Sequence, residues 1–236
     1  MTHSKRGTLV IIGGAEDKRT DMKQYPKILY FDQAPLNEQC YAFDKLDGSN
    51  IRAEWSKKRG WYKFGTRNTM INSMDHNFGE AIPLFLDKYG DELQKVFRDK
   101  KEYRNIDNFV VFAEYYGENS FAGFHEPDDK KDIVLFDVNQ FKKGFIPPKE
   151  FIDNFGHLHI PEIVYSGPFT FDLVKDVRKD AYELKEGVIV KGVRKTKGKD
   201  EVWMAKIKTN DWLHKVKSKL GDKALLEEVN GNRLLL

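Results

Sequence analysis

From Tyr41 onward the chain alternates short β-type runs with charged turns. Tyr41–Phe43, Asn50–Trp55 and Trp61–Thr66 predict strands, divided by Gly48 and by Lys57–Gly60. Phe78–Arg98 predicts a helix, with apolar residues at Ile82, Leu84, Phe85, Leu93 and Val96 and interruptions at Pro83 and Gly90. Phe109–Tyr116 and Ile133–Val138 read as strands, the second apolar enough to be buried on both faces. Pro148–Phe155 and Phe171–Glu183 predict helices, Gly187–Val193 and Glu201–Ile207 strands, and Asp211–Val229 a closing helix broken at Gly221. The expected fold class is α+β, one domain built around antiparallel sheet with flanking helices.

The first 21 residues fit this pattern poorly. Thr8–Gly14 reads as a buried strand running into a glycine turn, but no strand–helix continuation follows. Residues 1–21 are therefore expected to be an appendage, with the domain spanning 22–236. At 236 residues a core can form without disulfide or metal staples. With 40% hydrophobic and 33% charged residues and no apolar run long enough to cross a bilayer, the composition is that of a soluble globular protein. The single cysteine, Cys40, excludes an internal disulfide and fits a reducing, cytoplasmic setting.

The formal net charge is only +3, yet Lys185–Lys219 holds 11 Lys/Arg against 4 Asp/Glu. A basic C-terminal third on a near-neutral chain fits either an anionic partner, phosphate or nucleic acid, or a solvated lysine-rich surface. His157 and His159 would share one face of a strand, but no third metal ligand lies near them in sequence.

The sharpest local feature is Asp44–Asn50, with the sequence DKLDGSN. A lysine attacks only as the free amine, so desolvation, a neighbouring cation or a bound metal complex must favour that form. Gly48 permits a tight turn bringing Lys45 and Asn50 toward one phosphate-sized ligand. By itself Asp-Gly is first a turn signal. Four further β-type segments each carry one or two polar residues: Lys63–Asn68, Phe112–Gly117, Val134–Val138 and Lys185–Lys191, with Trp203–Lys208 completing the series. Alternation puts Lys206 and Lys208 on one strand face, where their charges repel unless an anion sits between them. Taken singly, these lysines could equally protect an edge strand, and Glu114, Glu186 and Phe136 could be a surface acid, a turn acid and a core aromatic.

As an ordered set these segments resemble the six nucleotidyltransferase motifs of covalent polynucleotide ligases and mRNA capping enzymes. The Lys-Leu-Asp-Gly-Ser-Asn form is most similar to RNA ligases of the second phage type and RNA-editing ligases. The resemblance covers roughly residues 22–215. It implies an antiparallel-sheet nucleotidyltransferase domain of the ATP-grasp-like ligase adenylylation type, without an OB-fold. Lys45 matches the lysine that attacks the ATP α-phosphate; Asp47 and Gly48 complete its motif, and Asn50 matches a phosphate contact. Arg67 matches an arginine contacting nucleotide or the RNA 5′-phosphate, Glu114 the acid holding the ribose hydroxyls, and Phe136 the aromatic stacking on adenine. Glu186 matches a metal-associated carboxylate, and Lys191, Lys206 and Lys208 the cations of the last two motifs. Asp44 departs from the family's usual glutamate by one methylene, which shortens its reach toward the base.

The resemblance implies an ATP-dependent RNA ligase using Mg2+ or Mn2+, acting as a monomer on RNA 5′-phosphate and 3′-hydroxyl ends, including nicks in a duplex. A DNA ligase or capping-type enzyme of the same superfamily is the alternative, as is a non-catalytic RNA-binding module that keeps the cleft. Too few residues follow Lys208 for the five-stranded barrel that DNA ligases and capping enzymes carry there.

Overall fold

A computed structural model describes residues 22–118 and 129–229. The strand expected at Thr8–Gly14, and the appendage to which it was assigned, lie outside these residues.

Two sheets face each other, and alternation along their strands sorts core from cleft. The first contains β1 (Leu29–Tyr30), β2 (Gln39–Asp44), β9 (Ile163–Pro168), β10 (Gly187–Thr196) and β11 (Lys199–Lys208), in the order β1-β11-β10-β2-β9. The second contains β3 (Ser49–Ser56), β4 (Gly60–Thr66), β5 (Met70–Ile71), β6 (Asn108–Tyr116), β7 (Asp132–Gln140) and β8 (Gly144–Phe145), in the order β5-β4-β3-β6-β7-β8. Every pairing is antiparallel except β1 with β11. The α+β expectation holds, with two sheets in place of one.

The outer face of the second sheet is covered by α1 (Ala81–Phe85) and α2 (Asp91–Asp99), while α3 (Pro148–Phe155) packs against β2 and β10 and joins the same core. The core there is aromatic: Phe97 stacks on Phe109 at 4.0 Å between ring centroids, and buried Trp55 contacts both rings. On the first sheet, Val188 and Val190 of β10 and Ala205 and Ile207 of β11 pack with α4 (Phe171–Arg178) and α5 (Asn210–Glu228). α5 starts at Thr209, whose hydroxyl accepts the Trp212 N–H, and kinks at Gly221, where φ is 83°. A third, smaller cluster lies between the sheets, formed by Met22, Tyr25, Val110 and Phe112.

The expected strands across 41–66 and the strands β6 and β7 form with boundaries shifted by a residue or two. Other elements differ for identifiable reasons. The helix expected over Phe78–Arg98 divides at a widened π turn, Leu86–Gly90, whose Gly90 carbonyl accepts the Trp61 indole N–H at 3.0 Å. The helix begun at Phe171 stops at Arg178, because Asp180 adopts φ 58° and its carboxylate accepts the Leu184 N–H. His157 and His159 lie in a turn after α3 and form no strand pair, while His159 faces Lys88 and Asp132. The strands β1 and β9 escape the sequence pattern, since one is two residues long and the other is a half-exposed edge.

The Met22 carbonyl accepts a hydrogen bond from buried Arg52, and Met22 and Tyr25 are themselves buried. A chain begun at Met22 is therefore expected to fold with an unchanged far-UV spectrum and a Tm within a few degrees of the full chain. Loss of cooperative unfolding in that truncation would place residues 1–21 inside the domain.

Candidate functional site

The two sheets meet at one crossing. β2 ends at Asp44, β3 begins at Ser49, and the connection Lys45–Gly48 passes from one sheet to the other. Two backbone bonds fix its start: Asp44 N–H to the Glu162 carbonyl at 2.8 Å, and Lys45 N–H to the Gly187 carbonyl at 2.9 Å. Gly48 then crosses so close to β6 that a Cβ would lie 2.5 Å from the Tyr115 carbonyl oxygen. Glycine is required there by that approach to β6.

The crossing lies at the rim of a cleft of about 670 Å3 between the sheets, a volume suited to a nucleotide-sized ligand. Asp44, Lys45, Gly48 and Asn50 line it, as do Arg67, Glu114, Phe136, Lys191 and Lys206. Nine of the twelve residues singled out in the sequence thus share one cavity. Asn50 and Glu114 face each other across β3 and β6, and Glu114 accepts the Gly48 N–H. The Asn50 side-chain oxygen and one Asp44 carboxylate oxygen are buried with no hydrogen-bond partner among the described residues. Orphaned polar atoms in a cleft are costly unless a ligand or water meets them.

Glu186 and Lys208 lie behind Lys45, outside the cleft wall. Glu186 immediately precedes β10 and is 3% exposed; its Oε1 lies 2.8 Å from Lys45 Nζ and also bonds Lys208 Nζ. Lys208 in turn lies 2.9 Å from Glu228 Oε2, and Lys206 lies 3.9 Å from that same oxygen. The anion that the paired lysines require is thus supplied by α5. Glu228 has no local sequence signal beyond its place in the helix after Gly221, and the sequence reading misses it.

Lys191 is placed on the cleft floor but directs its ammonium inward. It donates to the Phe136 carbonyl and to Asp137 Oδ2, both at 2.8 Å, and lies over the Phe43 and Phe136 rings. Tyr25 donates to the same Asp137 oxygen at 2.7 Å and stands edge-on to Phe136 with centroids 5.0 Å apart. Asp137 and Tyr25 are the further members of this wall that sequence reasoning does not identify. Asp47 is not among the cleft-lining residues.

These placements shift the charges. Burial would lower the Lys45 pKa, but the negative charges of Glu186 and Glu114 and the hydrogen bond to Glu186 carry it above the usual lysine value. Without ligand the amine is therefore held as an ammonium. Burial pushes Lys206 down to about 8, with Glu228 opposing and Lys208 and Lys45 adding to the fall. Burial raises Glu114 to about 7; Lys45 opposes the rise and Glu186 adds to it. Burial raises Asp44 as well, with Glu162 and Glu186 contributing.

The RNA ligase family matches residues 38–208, nearly three-quarters of the chain. The chain belongs to the RNA ligase family. No curated protein matches the sequence. Among solved structures, a Naegleria gruberi RNA ligase with PPi shares 15% identity at a TM-score of 0.59, covering 88% of this chain and 62% of that one. A variant of the Naegleria gruberi RNA ligase with AMP and Mn gives 15% identity and a TM-score of 0.57, covering 84% of this chain and 59% of its own. An archaeal ATP-dependent RNA ligase gives 16% identity and a TM-score of 0.54, covering 82% and 50% respectively. At these identities the likeness is one of fold, and this RNA ligase-family chain spans about six-tenths or less of the length of those proteins. The family match begins just before β2 and ends at Lys208, so Tyr25 and Glu228 lie outside it.

Two outcomes test the electrostatics. Glu186→Ala leaves the buried Lys208 with one fewer carboxylate and Lys45 with none in contact, so it is expected to destabilise the protein by about 3–5 kcal/mol. That loss would be read as a Tm drop on the order of 10 °C by calorimetry. For Glu114, folding raises the carboxyl from its ordinary 4.5 to about 7. Between those values the folded protein binds the extra proton, so this group's contribution to stability falls as pH rises. Urea unfolding across that pH range should show the slope in the wild type and a flatter profile in Glu114→Gln.

Proposed function

We propose that this chain is the nucleotidyltransferase domain of an ATP-dependent RNA ligase, with Lys45 as its nucleophile. The observation that carries the reading is the position of Lys45 at the rim of a nucleotide-sized cleft, 2.8 Å from the buried carboxylate of Glu186. Phe136 and Tyr25 offer an aromatic wall for adenine, where stacking on an aromatic face contributes roughly 1–3 kcal/mol. Glu114 and the orphaned Asn50 oxygen supply polar contacts beside it, while Lys206 and Arg67 supply cations for phosphate.

In the first step the Lys45 amine attacks the α-phosphorus of ATP. A P–N bond forms, the bond to the bridging oxygen breaks, pyrophosphate leaves and Nζ loses a proton. Charge spreads over the phosphate oxygens, so fixed cations contribute most of the catalysis. Lys206 is suited to that role, since an arriving phosphate would stabilise the charged form that burial disfavours. Glu186 holds Nζ in place and is the nearest group to receive its proton. The AMP then passes to an RNA 5′-phosphate, and a 3′-hydroxyl displaces it to seal the strand.

Among the described residues no three His, Cys, Asp or Glu side chains gather as a metal cage. A hard cation such as Mg2+ or Mn2+ would be held by the carboxylate of Glu114, which lines the cleft, or by that of Glu186 behind Lys45. When bound, such a cation would supply positive charge to offset the triphosphate and to favour the free amine of Lys45. The basic stretch Lys185–Lys219 supports contact with an RNA backbone, at single ends or at a nick. A reducing, cytoplasmic setting fits the lone, buried Cys40, and we infer a monomer working in RNA repair from the family resemblance alone; among the described residues no helix is long and apolar enough to cross a membrane.

Incubation with ATP labelled at the α-phosphate should give a covalent protein–AMP band in the wild type. Lys45→Ala is expected to abolish it while leaving the Tm near wild type, and Lys45→Arg should not restore it, because a guanidinium stays protonated. Labelling that survives in Lys45→Ala would remove Lys45 from the mechanism.

A further inference from the structure

Arg52 is fully buried on β3, two residues beyond the cleft-lining Asn50 and on the same strand face. A buried charge normally finds a carboxylate, but among the described residues this one forms no ion pair. Its guanidinium is met by carbonyl oxygens from two separate segments. Nε donates to the Thr66 carbonyl at 2.6 Å, and Nη1 donates to the carbonyls of Met22 at 3.0 Å and Lys23 at 3.2 Å.

Those two segments are the flanks of the cleft. Thr66 ends β4 and opens a turn closed by its own N–H to the Thr69 carbonyl at 2.8 Å; that turn carries Arg67. Met22 and Lys23 lead directly into Tyr25–Ile28, the wall beside Phe136. β4 also approaches the guanidinium closely, for a Cβ on Gly65 would lie 3.1 Å from Nη2. A planar fork with donors in fixed directions can bond both flanks at once, whereas the single ammonium of lysine is a point charge on a flexible stem.

We propose that Arg52 is a positioning residue that sets the separation between the Tyr25 wall and the Arg67 turn, and so the fit of the cleft to its nucleotide. It touches no nucleotide itself. The part concerning the nucleotide rests on the ATP reading above; the clamp between the two segments does not.

The test uses the full chain with Arg52→Met and Arg52→Lys. Hydrogen exchange on the unliganded protein reads the clamp alone. Exchange should rise together in residues 23–28 and 66–69 while β10 and β11 keep their protection; unchanged exchange in both segments overturns the clamp. Formation of the protein–AMP adduct then reads the nucleotide fit. The KM for ATP should rise about tenfold or more while the rate at saturating ATP falls far less, the pattern of a lost binding geometry. A variant with lower Tm but wild-type KM in its folded fraction would overturn the positioning role. Should Arg52→Met fail to fold, Arg52→Lys, which keeps the charge without the fork, carries both measurements. A wild-type chain that never labels, with exchange changed as expected, would refute the ATP reading and leave the clamp standing.

Discussion

The site depends on one buried carboxylate. Glu186 accepts from Lys45 and from Lys208, and Lys208 and Lys206 share Glu228. Close contact between opposite signs offsets the cost of holding these charges away from water. The consequence is architectural, because each charge comes from a different place: the crossing between the sheets, the residue before β10, the end of β11 and the far end of α5. The network therefore ties the lysine at the cleft rim to the last helix.

That network also sets the protonation state of Lys45, the proposed nucleophile. Burial by itself would favour a neutral Lys45, yet Glu186 and Glu114 hold the proton on it. In the proposed reaction, desolvation alone would not free this amine, because the neighbouring carboxylates outweigh it. An amine kept as an ammonium until its substrate arrives is protected from unproductive reaction. On the other side, Lys191 and Tyr25 converge on the Asp137 carboxylate beside the aromatic wall, so the ammonium of this lysine is bonded within the protein.

Much of the fold was legible because its signals are local. The alternation of apolar and polar positions in β3 and β4, and the nearly continuous apolar runs of β6 and β7, follow from each residue's own chemistry. So does the break in α5 at Gly221. The misses have physical causes too. Two-residue strands carry no periodicity, edge strands carry little, and a π turn is invisible to a helical pattern that tolerates one extra residue. Likewise the helix stop at Arg178 rests on Asp180 bonding the backbone in a left-handed conformation, which composition alone does not announce.

The sequence by itself determined the order of the motif-bearing strands, the choice of Lys45 as candidate nucleophile and the shared face of Lys206 and Lys208, since spacing and side-chain chemistry are properties of short segments. Only the tertiary structure decided which charges meet. Lys191 reaches Asp137 across 54 positions, and Arg52 reaches Met22 across 30. Glu228 arrives from a helix packed on the far side of the first sheet, and Gly48 is required by a carbonyl on β6. Such pairings depend on where the chain returns to itself, and a local pattern holds no record of that distance.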